Sequence, residues 1–375
     1  MYLNRCFYLL AFFVFCAAGI VKGQNQQIMS FELYVPFEDE WIKKISNADP
    51  QVGIDLSDSF KSMRSCFTCE EWSLGFIDKI NTWYTEQERI ALFENTDSLN
   101  MLVLRKCKQN KARIERVLRN RIQLAHTKIL DFTWTKANVL FISVESSLPE
   151  YELIQLLTRP MQLSFWKVHK YGFLIDNLNA NAVDACWEGI RFLEETLAQP
   201  SARNEDKEFI QPYLGFAASH DTAKLSSVFQ LAQQTDCFSS PAVWVWSCEP
   251  LEKTDLFVLY ALKPSKNGKP AMSGDFIQSA KVQKASYAEN KYEVYLEMKA
   301  SAHASWAQLT ALCAATQDFI AVVIDAQAFN VPRVMSKIEK GRSVISGNFS
   351  QTEAETIARN LQSGSLPFSL QLVPK

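Results

Sequence analysis

Cys66-Phe-Thr-Cys69 is the one cysteine pair whose spacing suits a redox dithiol or half of a metal site. A dithiol that attacks disulfides needs one sulfur held as thiolate. Glu70 and Glu71 follow at once and oppose that charge. Zinc asks for a second pair of ligands, and no other Cys-x-x-Cys is present. A local disulfide or two ordinary thiols is the expected state. His126, His169, His220 and His303 are scattered, none at metal-ligand spacing from another. His220-Asp221 beside Ser219 could be drawn as part of a triad, and equally suits the capped start of the helix that follows. The cap is the reading taken here. Asp325 ends a strand-like run, where catalytic carboxylates often lie. Trp244, Trp246, Phe257 and Tyr260 could floor a ligand groove, although alternating strand aromatics usually belong to a core. A phosphate-binding P-loop, a dinucleotide fingerprint and a paired-carboxylate signature are all missing. Neither enzyme activity nor a cofactor is expected.

The elements that must position these residues follow from periodicity. Phe60 to Asn100 reads as mostly helical, with Trp72, Phe76, Ile80 and Trp83 at spacings of three and four. Lys111 to Gln123 is a cleaner helix. Ile114, Val117, Leu118 and Ile122 form its buried stripe, and the basic run from Arg113 to Arg121 reads as its solvated face. Val139 to Val144 and Met161 to Val168 read as strands, and Val183 to Leu197 as a helix. Pro200 to Glu208 is polar and unpatterned, a linker. Asp221 to Ala232 returns to helix, Val243 to Ser247 and Leu256 to Leu262 form an antiparallel strand pair, and Glu293 to Met298 alternates. Phe319 to Ile324 is a buried strand ending in a turn. Ser350-Gln-Thr-Glu353 is a capping box that opens a helix through Ala354, Ile357, Ala358 and Leu361. Gly364 supplies its left-handed cap and Pro367 stops it. Gln24 to Asp49 is weakly patterned, an extended lead-in. Strands and helices alternate without a regular βαβ rhythm, so the fold class is α+β with mixed and antiparallel sheets.

The chain has 375 residues, 47% of them apolar and 21% charged, with a net charge of −2. That describes an ordinary globular protein with room for two or three subdomains. It provides no field to gather nucleic acid. Arg5 precedes an apolar run from Cys6 to Val21, which suits a secretory signal or an N-terminal anchor. At 16 residues it is shorter than the ~20 a membrane span needs. Cleavage would leave Cys66, Cys69, Cys107, Cys186, Cys237, Cys248 and Cys313. That odd number leaves at least one thiol unpaired within the chain, or shared between chains, in an oxidising compartment.

From Phe319 onward the pattern becomes specific. Ile320 to Asp325, Val331-Pro332, Ile338, Gly341, Ile345-Ser-Gly347-Asn-Phe349, Glu353-Ala354, Ala358, Leu361 and Gly364-Ser-Leu366-Pro367 resemble the end of the first periplasmic domain of SecD and of fused SecDF proteins. Trp306 to Thr310, and Gly274-Asp275 with Ala280, fit the segments that precede this stretch. Ile114 to Ile122, Met161 to Trp166 and Val52 to Leu56 carry the resemblance upstream, more thinly. Ser57, Asp58, Lys340 and Val331 stand where the family has glycine or another small residue, which implies altered turns.

The resemblance implies a ferredoxin-like base and an α+β head. The division expected is a signal peptide or anchor at 1–23, a diverged segment at 24–110, the base at 111–200 and the head at 209–375. It makes Asp325, Pro332, Gly341, Gly347, Phe349, Glu353, Gly364 and Pro367 structural motif residues, with Asp325 at a turn. It also implies a non-catalytic, periplasmic binding module that holds unfolded exported polypeptide or assists SecYEG and SecDF. Membrane contact would run only through the N-terminus, with residues 6–21 as anchor if uncleaved. SecD continues into further membrane helices that couple proton flow; this sequence stops at Lys375, so proton coupling is not expected in it. The alternative is a diverged envelope structural or interaction protein with no role in export.

Overall fold

Gln27–Tyr34 (β1) is a paired strand where an extended lead-in was expected. Met29, Phe31 and Leu33 turn inward while Ile28, Ser30 and Glu32 stay exposed, the period-two signature of a half-buried strand. The computed structural model describes residues 26–37, 68–85, 87, 99–170, 212–234, 237–251, 253–286 and 289–373. The apolar N-terminal run, Val52 to Leu56, Cys66, Cys186, the helix expected at Val183 to Leu197 and the linker at Pro200 to Glu208 lie outside the described residues.

Among the described residues β1 is followed by the helices Cys69–Trp83 (α1) and Leu99–Leu124 (α2). Thr68 and Glu71 form a capping box at the start of α1, satisfying two orphan donors reciprocally. Helix α2 begins well before the expected Lys111, because Val103 and Cys107 extend the same buried stripe as Ile114. The hairpin of Lys128–Lys136 (β2) and Val139–Ser146 (β3) comes next, then Glu150–Thr158 (α3). Near the C-terminus Gln371–Leu372 (β14) joins the same sheet. The strand order is β14-β1-β3-β2, with every neighbour antiparallel. β1 and β2 therefore run the same way with β3 between them. This is the split β-α-β arrangement of the expected ferredoxin-like base. Its core holds Phe31, Leu33, Trp72, Phe76, Ile114 and Ile142.

The described elements between α3 and β14 are taken together as the head. Its elements are Leu163–Val168 (β4), Gly215–Ala218 (β5), Thr222–Gln234 (α4), Val243–Ser247 (β6), Leu256–Lys263 (β7), Met272–Ser273 (β8), Ile277–Lys284 (β9) and Tyr292–Met298 (β10). Then come Ala300–Ala315 (α5), Ile320–Ile324 (β11), Gln327–Asn330 (β12), Arg342–Phe349 (β13) and Gln351–Ser363 (α6). A seven-stranded sheet has the order β5-β7-β6-β12-β11-β4-β8. β7 also pairs with β4, Lys167 opposite Lys263 and Val168 opposite Leu262. That extra pairing closes β7, β6, β12, β11 and β4 into a ring.

The ring sorts its residues by period two. Trp166, Val168, Val245, Leu262, Val323 and Ala328 share one core, inside the ring. The alternate residues Leu163, Phe165, Ile320, Val322 and Ile324 pack outward on a second core. That core is roofed by the three-stranded sheet β13-β10-β9 and by α5 and α6. On the far flank α4 lays Leu225 and Phe229 against Trp244 and Trp246. Sheet membership therefore cuts across the expected division at 111 and 209. β1 and β14 complete the base sheet, and β4 belongs to the head, because pairing follows which face of each strand is apolar rather than its place in the chain. Among the described residues, no helix is long and apolar enough to cross a membrane.

Candidate functional site

The chain crosses between base and head twice, outbound after α3 and inbound after α6, and one side chain holds both crossings. Arg121, on α2, is fully buried. It donates to the carbonyls of Leu156 at 2.9 Å, Arg159 at 2.6 Å and Pro160 at 3.0 Å on the outbound strand. It also donates to Ser363 Oγ at 3.2 Å and the Gly364 carbonyl at 3.4 Å on the return. The Leu156 and Arg159 carbonyls close α3, where a helix leaves acceptors without partners and its dipole favours a cation. Burial lowers the Arg121 pKa to about 10, with nearby Asp325 opposing the shift and Arg159 adding to it. At neutral pH the group is still a cation. The expected solvated face is thus corrected at this residue. The signal was in the sequence: Arg121 continues the spacing of Ile114, Val117 and Leu118 on the apolar stripe.

Three of the eight expected motif residues converge on this junction. Asp325 occupies the turn between β11 and β12 at a φ of 51°. Its carboxylate accepts from the backbone N–H of Met161 at 3.2 Å and of Gln162 at 2.8 Å, with Arg159 at 3.7 Å. Gly364 caps α6 with φ 91° and ψ 169°. The positive φ was expected, but the extended ψ lies in a region essentially open to glycine alone, rather than in the left-handed helical one. Gln162 completes the junction: its side-chain Nε2 donates to the carbonyl of Pro367 at 2.7 Å and of Leu366 at 3.1 Å.

The other five motif residues lie in the head. Gly341 donates no side chain where one would strike the His303 ring, and Gly347 lies under the Phe349 ring. Phe349 itself is buried in the second core. Glu353 closes the expected capping box with Ser350. The Pro332 carbonyl accepts from Ile320 N–H at 3.1 Å, holding the approach to β11.

Beside the junction a cavity of about 510 Å³ opens at one mouth of the ring. Trp166, Val243, Val245, Leu262 and Val323 form its apolar floor. Lys106, Asn110 and Arg113 from α2 face them, with Asp275 and Ser365 on the rim. Arg113 reaches across: its Nε donates to the Ser365 carbonyl at 2.9 Å, and a terminal nitrogen lies 2.6 Å from Ser365 Oγ and 3.4 Å from Asp275. A floor of five apolar side chains with charges confined to the rim suits an apolar or extended-chain ligand.

The remaining candidates are not brought together. Trp244 stacks on Phe229 at 4.5 Å, and Trp246 Nε1 donates to Ser226 Oγ at 2.9 Å, both on the α4 side. Tyr260 faces the ring interior instead, so the expected aromatic floor is split between two cores. His220 is exposed and lies 3.2 Å from Asp221. No hydrogen bond joins it to the Ser219 hydroxyl among the described residues. His303 Nε2 lies 3.0 Å from the Met298 carbonyl, and His169 Nε2 lies 3.3 Å from that of Pro241. Among the described residues no cluster of potential metal ligands occurs.

Comparison with known proteins bears on this architecture. Residues 258–368 match the family described as SecDF, P1 head subdomain, a stretch running from β7 past the end of α6. Over 163 residues the chain is 27% identical to the protein translocase subunit SecD of Rhodothermus marinus, covering 42% of this chain and 25% of that protein. The chain thus spans about a quarter of the length of that curated relative. A solved structure of SecDF in a super-membrane-facing form overlays with a TM-score of 0.41 at 17% identity, covering 71% of this chain and 28% of that one. A structure of a SecDF membrane component that enhances protein export overlays at 0.39 with 18% identity, covering 71% and 92%. Resemblance read from motif residues and a separate family match fall on the same stretch, and residues 258–368 are similar to the P1 head subdomain of SecDF.

Proposed function

We propose that this chain is a periplasmic, non-catalytic accessory of protein export that holds extended polypeptide at the cavity between ring and base. The single observation that carries the reading is that the matched head subdomain, residues 258–368, supplies half of the residues lining that cavity. The named relatives are a translocase subunit and a component that enhances protein export. The physical case is that an unfolded chain offers repeated apolar side chains and unpaired backbone groups. An apolar floor receives the first, and short strands such as β8 at the cavity rim offer partners to the second. Such binding is indifferent to sequence, as a holder of many different exported chains requires. The base and head division belongs to the same reading, with the strand pairing of β1 and β14 supporting a base that is completed from both ends of the chain.

A photo-crosslinking residue placed at Ala326, on the cavity wall, tests this in whole cells. Recovery of translocon subunits or of export-arrested chains is the expected result. Labelling no different from that of a probe at exposed Met335 would sink the export role and leave the diverged envelope interaction protein as the reading. In purified form, a reduced and carboxymethylated protein that cannot fold should bind the wild-type chain. It should bind Val243→Trp at least tenfold more weakly, as the indole fills the floor.

A further inference from the structure

We propose that Cys69 and Cys107 are joined by a disulfide in the exported protein, stapling α1 to α2 inside the base. The inference rests on the exported-compartment reading above and replaces both expected states of Cys69, a local disulfide with Cys66 or an ordinary thiol. Cys69 is the first residue of α1, and Cys107 lies in the buried stripe of α2. Both are buried, 6% and 2% exposed, and both belong to the base core. The residues next to them, Glu70 on α1 and Lys108 on α2, pair at 2.5 Å, which sets the two thiols side by side across the helix interface. Two buried thiols facing one another across packed helices, with no metal cluster among the described residues to use them, are placed to form a bond. Cys237 is already disulfide-bonded, so the fold is one that carries oxidised cysteines. Cys248 and Cys313 show no such partner and stand as free thiols.

The surroundings also say which sulfur reacts first. The Cys107 hydrogen bond holds the Cys69 thiol below its ordinary pKa against the pull of burial, with help from Lys111 and Lys108. Glu70, expected to oppose a thiolate, does so only in part, because Lys108 lies 2.5 Å from its carboxylate. The same pairing drives the Cys107 thiol up. The Cys69 thiolate therefore attacks one sulfur of a small-molecule disulfide such as oxidised glutathione, forming a mixed disulfide and expelling one thiolate. That thiolate takes the Cys107 proton. The Cys107 sulfur then displaces the second thiolate from Cys69, closing the protein bond. Two protein thiols are oxidised, and one external disulfide is reduced to two thiols.

The test is peptide mapping without reduction of the purified full chain after incubation with oxidised glutathione. The expected result is a linked pair of peptides containing Cys69 and Cys107. Cys66 bonded to Cys69, any other partner for either sulfur, or alkylation of both would overturn the proposal. A second measurement is thermal unfolding of Cys107→Ser, expected to melt roughly 5 °C below wild type in oxidising buffer and level with it under reduction. An equal loss in both buffers would mean that the residue matters for packing alone. Mapping the same peptides from cell envelopes separates the two readings: a bond made in vitro but absent from cells would fault the compartment and leave the geometry intact.

Discussion

The guanidinium of Arg121 and the carbonyl of Pro160 lie 3.0 Å apart, a helix of the base gripping the first residues of the head. The Leu366 N–H donates to that same carbonyl at 2.9 Å, so a single oxygen is shared by the outbound and inbound strands and by α2. Head and base are thus fastened in part through one shared acceptor.

Removing that grip should be costly. Arg121→Ala leaves the carbonyls of Leu156 and Arg159 without this donor, at about 1–3 kcal/mol for each, while that of Pro160 keeps the Leu366 N–H. A loss of about 3 kcal/mol or more in urea unfolding is the expected outcome. Arg121→Lys recovers only part of it, because an ammonium cannot serve acceptors on two sides as a planar fork does. A full recovery by lysine would show that charge alone matters at this point.

Asp325→Asn tests the second half of the junction. The carboxylate serves two backbone donors and stands near both Arg121 and Arg159. The amide can accept both bonds only through one oxygen and carries no charge, so about 1–2 kcal/mol should be lost. A double-mutant cycle with Arg121→Lys should show non-additivity, since the two side chains share one environment.

Gly341 and Gly268 form a matched pair for separating backbone strain from packing. Both have positive φ, 59° and 70°, but a Cβ at Gly341 would come within 2.6 Å of the His303 ring while one at Gly268 meets nothing within 4 Å. Alanine at Gly268 should cost about 1 kcal/mol from conformation alone. At Gly341 a further ~1–3 kcal/mol is expected from displacing the ring. Equal losses at the two sites in chemical denaturation would contradict the close approach.

The seam of the ring should weaken in acid. The His169 N–H donates to the Ala261 carbonyl at 2.8 Å, extending the short β4–β7 pairing. Burial lowers the His169 pKa below its ordinary 6.5, with the Pro241 carbonyl opposing and Lys263 adding to the shift. A histidine whose folded pKa is depressed contributes stability that is complete above the unfolded value. That contribution is lost as pH falls through the folded one. Hydrogen exchange at the amides of Val168 and His169, corrected for its intrinsic pH dependence, should therefore show less protection at pH 5 than at pH 7.5. His169→Gln should flatten the difference.

How far the residues announced this architecture depends on where each signal sits. The α6 helix was readable from Ser350 to Pro367 because cap, stripe and stop are all local. β1 escaped notice because Met29, Phe31 and Leu33 alternate inside a polar stretch, and the partner that buries them, β3, lies more than a hundred residues on. The T-x-x-E box at Thr68 and Glu71 was equally local and was overshadowed by the neighbouring cysteines. Arg121 looked like surface because charge usually is; only acceptors from two distant segments, 156–160 and 363–364, make its burial tolerable. Motif residues came together partially: Asp325, Gly364 and Pro367 meet at the junction, whereas Gly341, Gly347, Phe349 and Glu353 secure the head interior. The cavity was not readable at all, since its floor is assembled from four strands widely separated in sequence.

The place of β14 has a temporal consequence. Leu33 and Tyr34 find their partners at Leu372 and Gln371, at opposite ends of the described chain. Because synthesis proceeds from the N-terminus, the base sheet waits as three strands, with the outer edge of β1 uncovered, until the whole head has been made. Maturation of this sheet is therefore ordered: a late-made strand seals an early one, and a chain interrupted before residue 371 presents an open β edge to its surroundings.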